Sequence, residues 1–72
     1  MKLHERLKQA REESGLTQVQ AAERLGVTNV YLCYVEAGTH EPSLKLLRTM
    51  AKTYRVRWQV IRDLIPAEPA GE

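Results

Sequence analysis

Leu3, Leu7 and Ala10 fall on one stripe at i, i+4 and i+7, while Lys2, Glu5, Lys8, Gln9, Glu12 and Glu13 lie largely outside it. This spacing predicts an amphipathic helix from about Leu3 to Ser14, closed by Gly15. Arg11 lies beside the apolar stripe instead of opposite it. From Thr17 to Glu36 the pattern predicts two shorter helices, Gln18–Leu25 and about Asn29–Ala37, joined by a tight turn. Thr17 can N-cap the first through its hydroxyl, and Gln20 can reach back to complete a capping box. Gly26 ends that helix in the left-handed conformation that a side chain resists, and Thr28 caps the next. Leu25, Val27, Leu32 and Val35 pack the pair together, and Ala21 and Ala22 let two helices cross closely. Together these features describe a helix-turn-helix.

At 100° per residue, the third helix turns Leu32 and Val35 inward, with Tyr31 at the edge. Its outward arc holds Val30, Cys33, Tyr34 and Ala37, with Asn29 at the exposed N-terminal end. Gly38 caps its C-terminus. Ser43 then caps a fourth helix, Leu44–Tyr54, whose Leu44, Leu47, Met50, Ala51 and Tyr54 repeat at 3-4 spacing. A fifth helix runs from about Arg57 or Trp58 to Leu64, without a Ser or Thr cap, and Pro66 stops it. The remaining stretch, 66–72, is small, acidic and proline-rich and is expected to be disordered.

Composition narrows the function classes. Seventy-two residues make one domain with a small margin of stability. The single cysteine excludes an internal disulfide and fits a reducing compartment. No apolar run approaches a membrane span, and the charged start Met1–Leu7 is not a signal peptide, so a cytoplasmic, membrane-free protein is expected. Residues 1–36 balance five basic against five acidic side chains, whereas 44–62 carry Lys45, Arg48, Lys52, Arg55, Arg57 and Arg62 with no acid. That block either faces phosphate or forms an ordinary solvated surface. His4, Cys33 and His40 show no metal-ligand spacing. No nucleophile has a paired base nearby and no Gly-rich phosphate loop exists, so no enzyme, metal or cofactor is expected. Nothing cationic neighbours Cys33 in sequence, which gives no case for a reactive thiol.

The ordered set GLTQ (Gly15–Gln18), AAERLGVT (Ala21–Thr28) and E-x-G-x-x-x-P-S (Glu36–Ser43), with Arg11 ahead and a leucine-rich helix behind, resembles the lambda-repressor-like (Cro or XRE type) helix-turn-helix family. The similarity covers about Leu3 to Leu64. It implies an all-α, five-helix domain over residues 1–65 that binds double-stranded DNA through the recognition helix at 28–37. It also implies an ion pair between Arg11 and Glu36 that ties the first helix to the third. By position, Thr28, Asn29, Val30, Cys33 and Tyr34 become the base-facing and backbone-facing set, with Tyr31 at its margin. Gln18 becomes a phosphate contact at a helix N-terminus, followed by Thr39, His40 and Lys45. Members of the family usually carry glycine where this chain has Arg55.

The residue types fit that role. Asn29 can offer its amide to the N6 and N7 edge of adenine, Val30 and Cys33 suit thymine methyls, and Tyr34 can reach a base edge or a phosphate. The recognition helix has no arginine or lysine, which points to A/T-containing half-sites or to readout of backbone and shape. Trp58, Val60, Ile61, Leu64 and Ile65 are too many apolar groups for one short helix to bury. Trp58 and Ile61 are expected to finish the core, and a two-fold contact between copies would cover the rest. The expectation is a sequence-specific transcriptional regulator, in the main a repressor, that binds a palindromic operator as a homodimer. With no room for a ligand-sensing domain, no small-molecule ligand is expected. A protein-binding adaptor or antitoxin on the same fold is the alternative, and a non-specific nucleoid protein a third reading.

Overall fold

A computed structural model describes residues 1–66. The chain forms α1 (Leu3–Glu13), α2 (Gln18–Leu25), α3 (Asn29–Ala37), α4 (Leu44–Thr53) and α5 (Trp58–Leu64), and no strand among the described residues. The expected disorder of 66–72 falls, beyond Pro66, outside the described residues. No helix among them is long and apolar enough to cross a membrane.

Local chemistry sets the boundaries. The hydroxyls of Thr17, Thr28 and Ser43 each accept the amide three residues on, at 3.1 Å, and Gln20 Oε1 accepts the Thr17 amide at 3.0 Å. These contacts use amides that a helix start leaves without intrahelical partners. Arg57, at the corresponding place before α5, makes no such bond.

Four helices end by one device. An amide just past the helix donates to a carbonyl five residues back: Leu16 to Arg11, Val27 to Ala22, Thr39 to Tyr34, and Val56 to Ala51. The residue before each of those amides must be left-handed. Gly15, Gly26 and Gly38 meet that need at φ +75, +74 and +83, and Arg55 meets it at φ +56. Ser14 and Tyr54 accordingly cap α1 and α4 instead of extending them by a residue. A side chain in this conformation costs on the order of 1 kcal/mol. Arg55→Gly is therefore expected to raise the melting temperature by about 4–8 °C, read by circular dichroism. An unchanged or lower value would show that the Arg55 turn is unstrained.

The core comes from every helix: Leu7 and Ala10 of α1, Ala21, Ala22 and Leu25 of α2, Leu32 and Val35 of α3, Leu47, Met50 and Ala51 of α4, Ile61 of α5, and Tyr54. α1 packs on α3 and α5, α2 on α3 and α4, and α4 on α5. One expectation changes. Leu44, placed on the core face of α4, is 55% exposed, and Leu46 packs against the core in its first turn instead. Of the five apolar residues at 58–65 considered for a contact between copies, Ile61 is wholly buried within the chain, in the core position expected of it, and so is removed from that set.

The Tyr54 ring is buried, but its hydroxyl has no hydrogen-bond partner among the described residues. Burial pushes its pKa up to about 12. The unfolded phenol titrates near 10, so the folded state disfavours the phenolate. Stability from this source is full below pH 10 and is lost as pH rises through 12, a change of about 2–3 kcal/mol. Tyr54→Phe removes no hydrogen bond. The variant is expected to melt no lower than the parent at pH 7 and to lose less stability between pH 10 and 12. A clear loss of stability at pH 7 would reveal a partner for the hydroxyl.

Candidate nucleic-acid interface

The turn between α2 and α3 and the inward side of α3 leave one face of α3 in solvent. Leu32 and Val35 are buried at 0% and 1% exposure, whereas Val30 and Tyr34 on the other side stand at 55% and 46%. Thr28, Asn29, Cys33 and Ala37 are also exposed, and Tyr31 lies between the two environments. α3 thus offers an amide at its N-terminal end, then small apolar groups, then a phenol. Cys33 is a free thiol on this face.

Behind α3, three helices meet at a buried knot. Arg11 Nε donates to Glu36 Oε2 at 2.7 Å and Nη2 donates to Oε1 at 3.2 Å. Arg11 Nη1 reaches the Leu16 carbonyl at 2.7 Å. These hydrogen bonds to Glu36 hold the guanidinium pKa above its ordinary value. Gln18 Nε2 completes the knot by donating to Glu36 Oε1 at 3.1 Å. The Gln18 side-chain amide is therefore engaged inside the domain, which leaves its backbone N–H at the start of α2 for the phosphate contact expected of this residue. What α2 presents outward at this end is its N-terminal backbone, together with Val19, which is 54% exposed. Neither feature was legible in the sequence: Gln18 and Glu36 are separated by 18 residues, and a single apolar residue on a short helix carries no directional signal.

The loop after α3 holds Thr39 and His40, both exposed. The Tyr34 carbonyl accepts the Thr39 hydroxyl, and His40 lies against the rings of Tyr31 and Tyr34. Lys45 stands elsewhere, in an open groove between α4 and α5 shared with Leu44, Arg48, Lys52 and Trp58. There the Arg48 guanidinium sits 4.6 Å above the Trp58 ring. The apolar residues of α5 do not form one patch. Trp58 faces that groove, Val60 is exposed, and Leu64 and Ile65 line a second groove with Leu3, His4 and Pro42.

Comparison with known proteins follows the same outline. A family described as helix-turn-helix matches residues 7–61. DdrOP3, an HTH-type transcriptional regulator of Deinococcus deserti, is 37% identical over 65 residues, 90% of this chain and 48% of its own length. An uncharacterized HTH-type transcriptional regulator of Mycobacterium tuberculosis, Rv0474, is 40% identical over 55 residues, covering 76% of this chain and 39% of the relative. The chain thus spans less than half the length of these two relatives. Among solved structures, the biofilm master regulator SinR in complex with DNA superposes with a TM-score of 0.76 at 29% identity, over 85% of this chain and 98% of that one.

Proposed function

The chain belongs to the helix-turn-helix family of Cro/XRE-type, DNA-binding transcriptional regulators, and from that premise we propose that it represses transcription by binding a palindromic operator as a symmetric homodimer in the cytoplasm. Residues 1–65 act as one reading unit, and each subunit lays α3 in one of two major grooves about 34 Å apart. Asn29 takes an adenine edge, Val30 and Cys33 take thymine methyls, and Tyr34 takes a base edge or a phosphate. α3 carries no Arg or Lys, so the half-sites contain A·T pairs where Asn29, Val30 and Cys33 read. The N-terminal amides of α2, with Thr39 and Lys45 as further candidates, hold the backbone. Val60, with Trp58, Leu64 or Ile65, supplies the contact between copies.

One observation carries this reading: exposed Val30, Cys33 and Tyr34 share a helix face with Asn29 while Leu32, Val35 and Glu36 on the other side are buried. Apolar groups grouped in solvent mark a surface that meets a partner. Selection of bound fragments from random duplex DNA, followed by salt titration of the winner, tests it. The expected result is an enriched inverted repeat with A·T-containing half-sites, whose affinity falls steeply with salt. An unenriched pool with a flat salt response would instead favour the adaptor or antitoxin alternative. Enrichment without two-fold symmetry would remove the homodimer.

A further inference from the structure

The loop after α3 is tied back onto the recognition helix. Gly38, at φ +83, reverses the chain. The Tyr34 carbonyl then accepts both the Thr39 amide and the Thr39 hydroxyl, each at 3.1 Å. This double anchor lays His40 across the exposed arc. Its imidazole lies 5.0 Å from the Tyr34 ring, inclined by 30°, and 6.0 Å from the Tyr31 ring, edge to face at 74°. Tyr31 and Tyr34 are one helical turn apart, so a single imidazole touches both. Gly38 is packed from α1 as well, where a Cβ on it would stand 2.8 Å from His4 Nδ1.

An exposed tyrosine ordinarily loses rotamer freedom when it engages a partner, and that loss weakens binding. We propose that His40 is a positioning residue for Tyr34, holding the phenol ring in one orientation on the outward face so that its hydroxyl meets DNA already ordered. His40 then contributes to discrimination between sequences through Tyr34 and not through a phosphate of its own. An aromatic contact of this kind biases a rotamer equilibrium by about 2- to 12-fold. The functional half of the inference rests on the DNA-binding reading, and the packing half on the loop geometry alone.

Three variants of the full chain separate these halves: His40→Ala, His40→Phe and His40→Lys. Without DNA, the ring-proton chemical shifts of Tyr34 are measured by NMR together with the melting temperature. With DNA, the readout is the ratio of affinity for the selected duplex to affinity for a random-sequence duplex. His40→Ala is expected to move the Tyr34 shifts toward those of a free tyrosine and to lower the ratio by about 3- to 10-fold, with little change in melting temperature. His40→Phe, which keeps a ring, restores the ratio and keeps the shifts displaced. Unmoved Tyr34 shifts in His40→Ala overturn the packing. Rescue by His40→Lys and not by His40→Phe overturns the positioning role in favour of a charge contact to phosphate. If the parent prefers no duplex at all, the DNA-binding reading fails and the recognition role falls with it, while the shifts still decide the packing.

Discussion

Arg11→Ala lowers the melting temperature by at least about 12 °C, because removing one partner of a buried ion pair costs about 3–5 kcal/mol. The Glu36 side chain is only 2% exposed, and without the guanidinium its carboxylate keeps one side-chain donor, Gln18 Nε2. The Leu16 carbonyl loses the Arg11 hydrogen bond too. A domain of this length has a total stability of about 4–11 kcal/mol, so the loss is a large share of it. Because hydrogen bonding to Glu36 raises the Arg11 pKa above its ordinary value, the guanidinium is fully charged at neutral pH. A melt near neutral pH therefore measures the Arg11 contribution in full. The double variant Arg11→Met with Glu36→Leu is the control, since an apolar pair leaves no buried charge and is expected to melt near the parent or above it. A single variant that melts within about 4 °C of the parent, equivalent to about 1 kcal/mol, would mean that the pair contributes little. The knot also bears on function, because it joins the C-terminal end of α3 to α1 and the start of α2, and so sets the angle at which α3 leaves the core.

The features read correctly from sequence are those whose causes lie within a turn or two. Thr17, Thr28 and Ser43 cap their helices by bonding three residues ahead, and Gly26 and Gly38 end theirs in a conformation that the residue type announces. The 3.6-residue period likewise separates Leu32 and Val35 from Val30 and Tyr34. What the period cannot say is how far a helix overhangs the core. Leu44 sits on the apolar stripe of α4 yet is exposed, while Leu46 in the same turn packs against the core. On α5, Ile61 is buried in the core, where the sequence placed it, while its neighbour Val60, 100° around the helix, stays in solvent. The left-handed turn at Arg55 was signalled only by resemblance, since nothing about arginine suggests it. The engagement of Gln18 by Glu36 and of His40 by Tyr31 and Tyr34 depends on the meeting of separate segments, which no local pattern encodes.

Asn29→Ala combined with Tyr34→Ala is expected to erase preference for the selected operator while leaving weak, salt-sensitive binding to any duplex. A good side-chain contact to a base edge discriminates by about 1–3 kcal/mol. In the proposed homodimer, two such contacts in each subunit sum to about 4–12 kcal/mol, which spans the usual gap of about 4–10 kcal/mol between specific and non-specific binding. Affinity for the operator should fall at least about 1,000-fold. Affinity for random duplex should change little, because the backbone amides of α2 and the cations of α4 are untouched. Folding should survive: Asn29 is exposed and Tyr34 is 46% exposed, and the main interaction removed is the ring packing against His40. Exposed substitutions usually shift stability by less than about 0.5 kcal/mol, with about 1.5 kcal/mol at most added for the missing ring pair. Thermal melts and binding curves on the same samples therefore separate recognition from stability. If the double variant keeps full operator affinity with an unchanged melt, α3 is not the reading element, however exposed it is. In that event the cations Lys45, Arg48 and Lys52, gathered along one side of α4, become the next surface to vary.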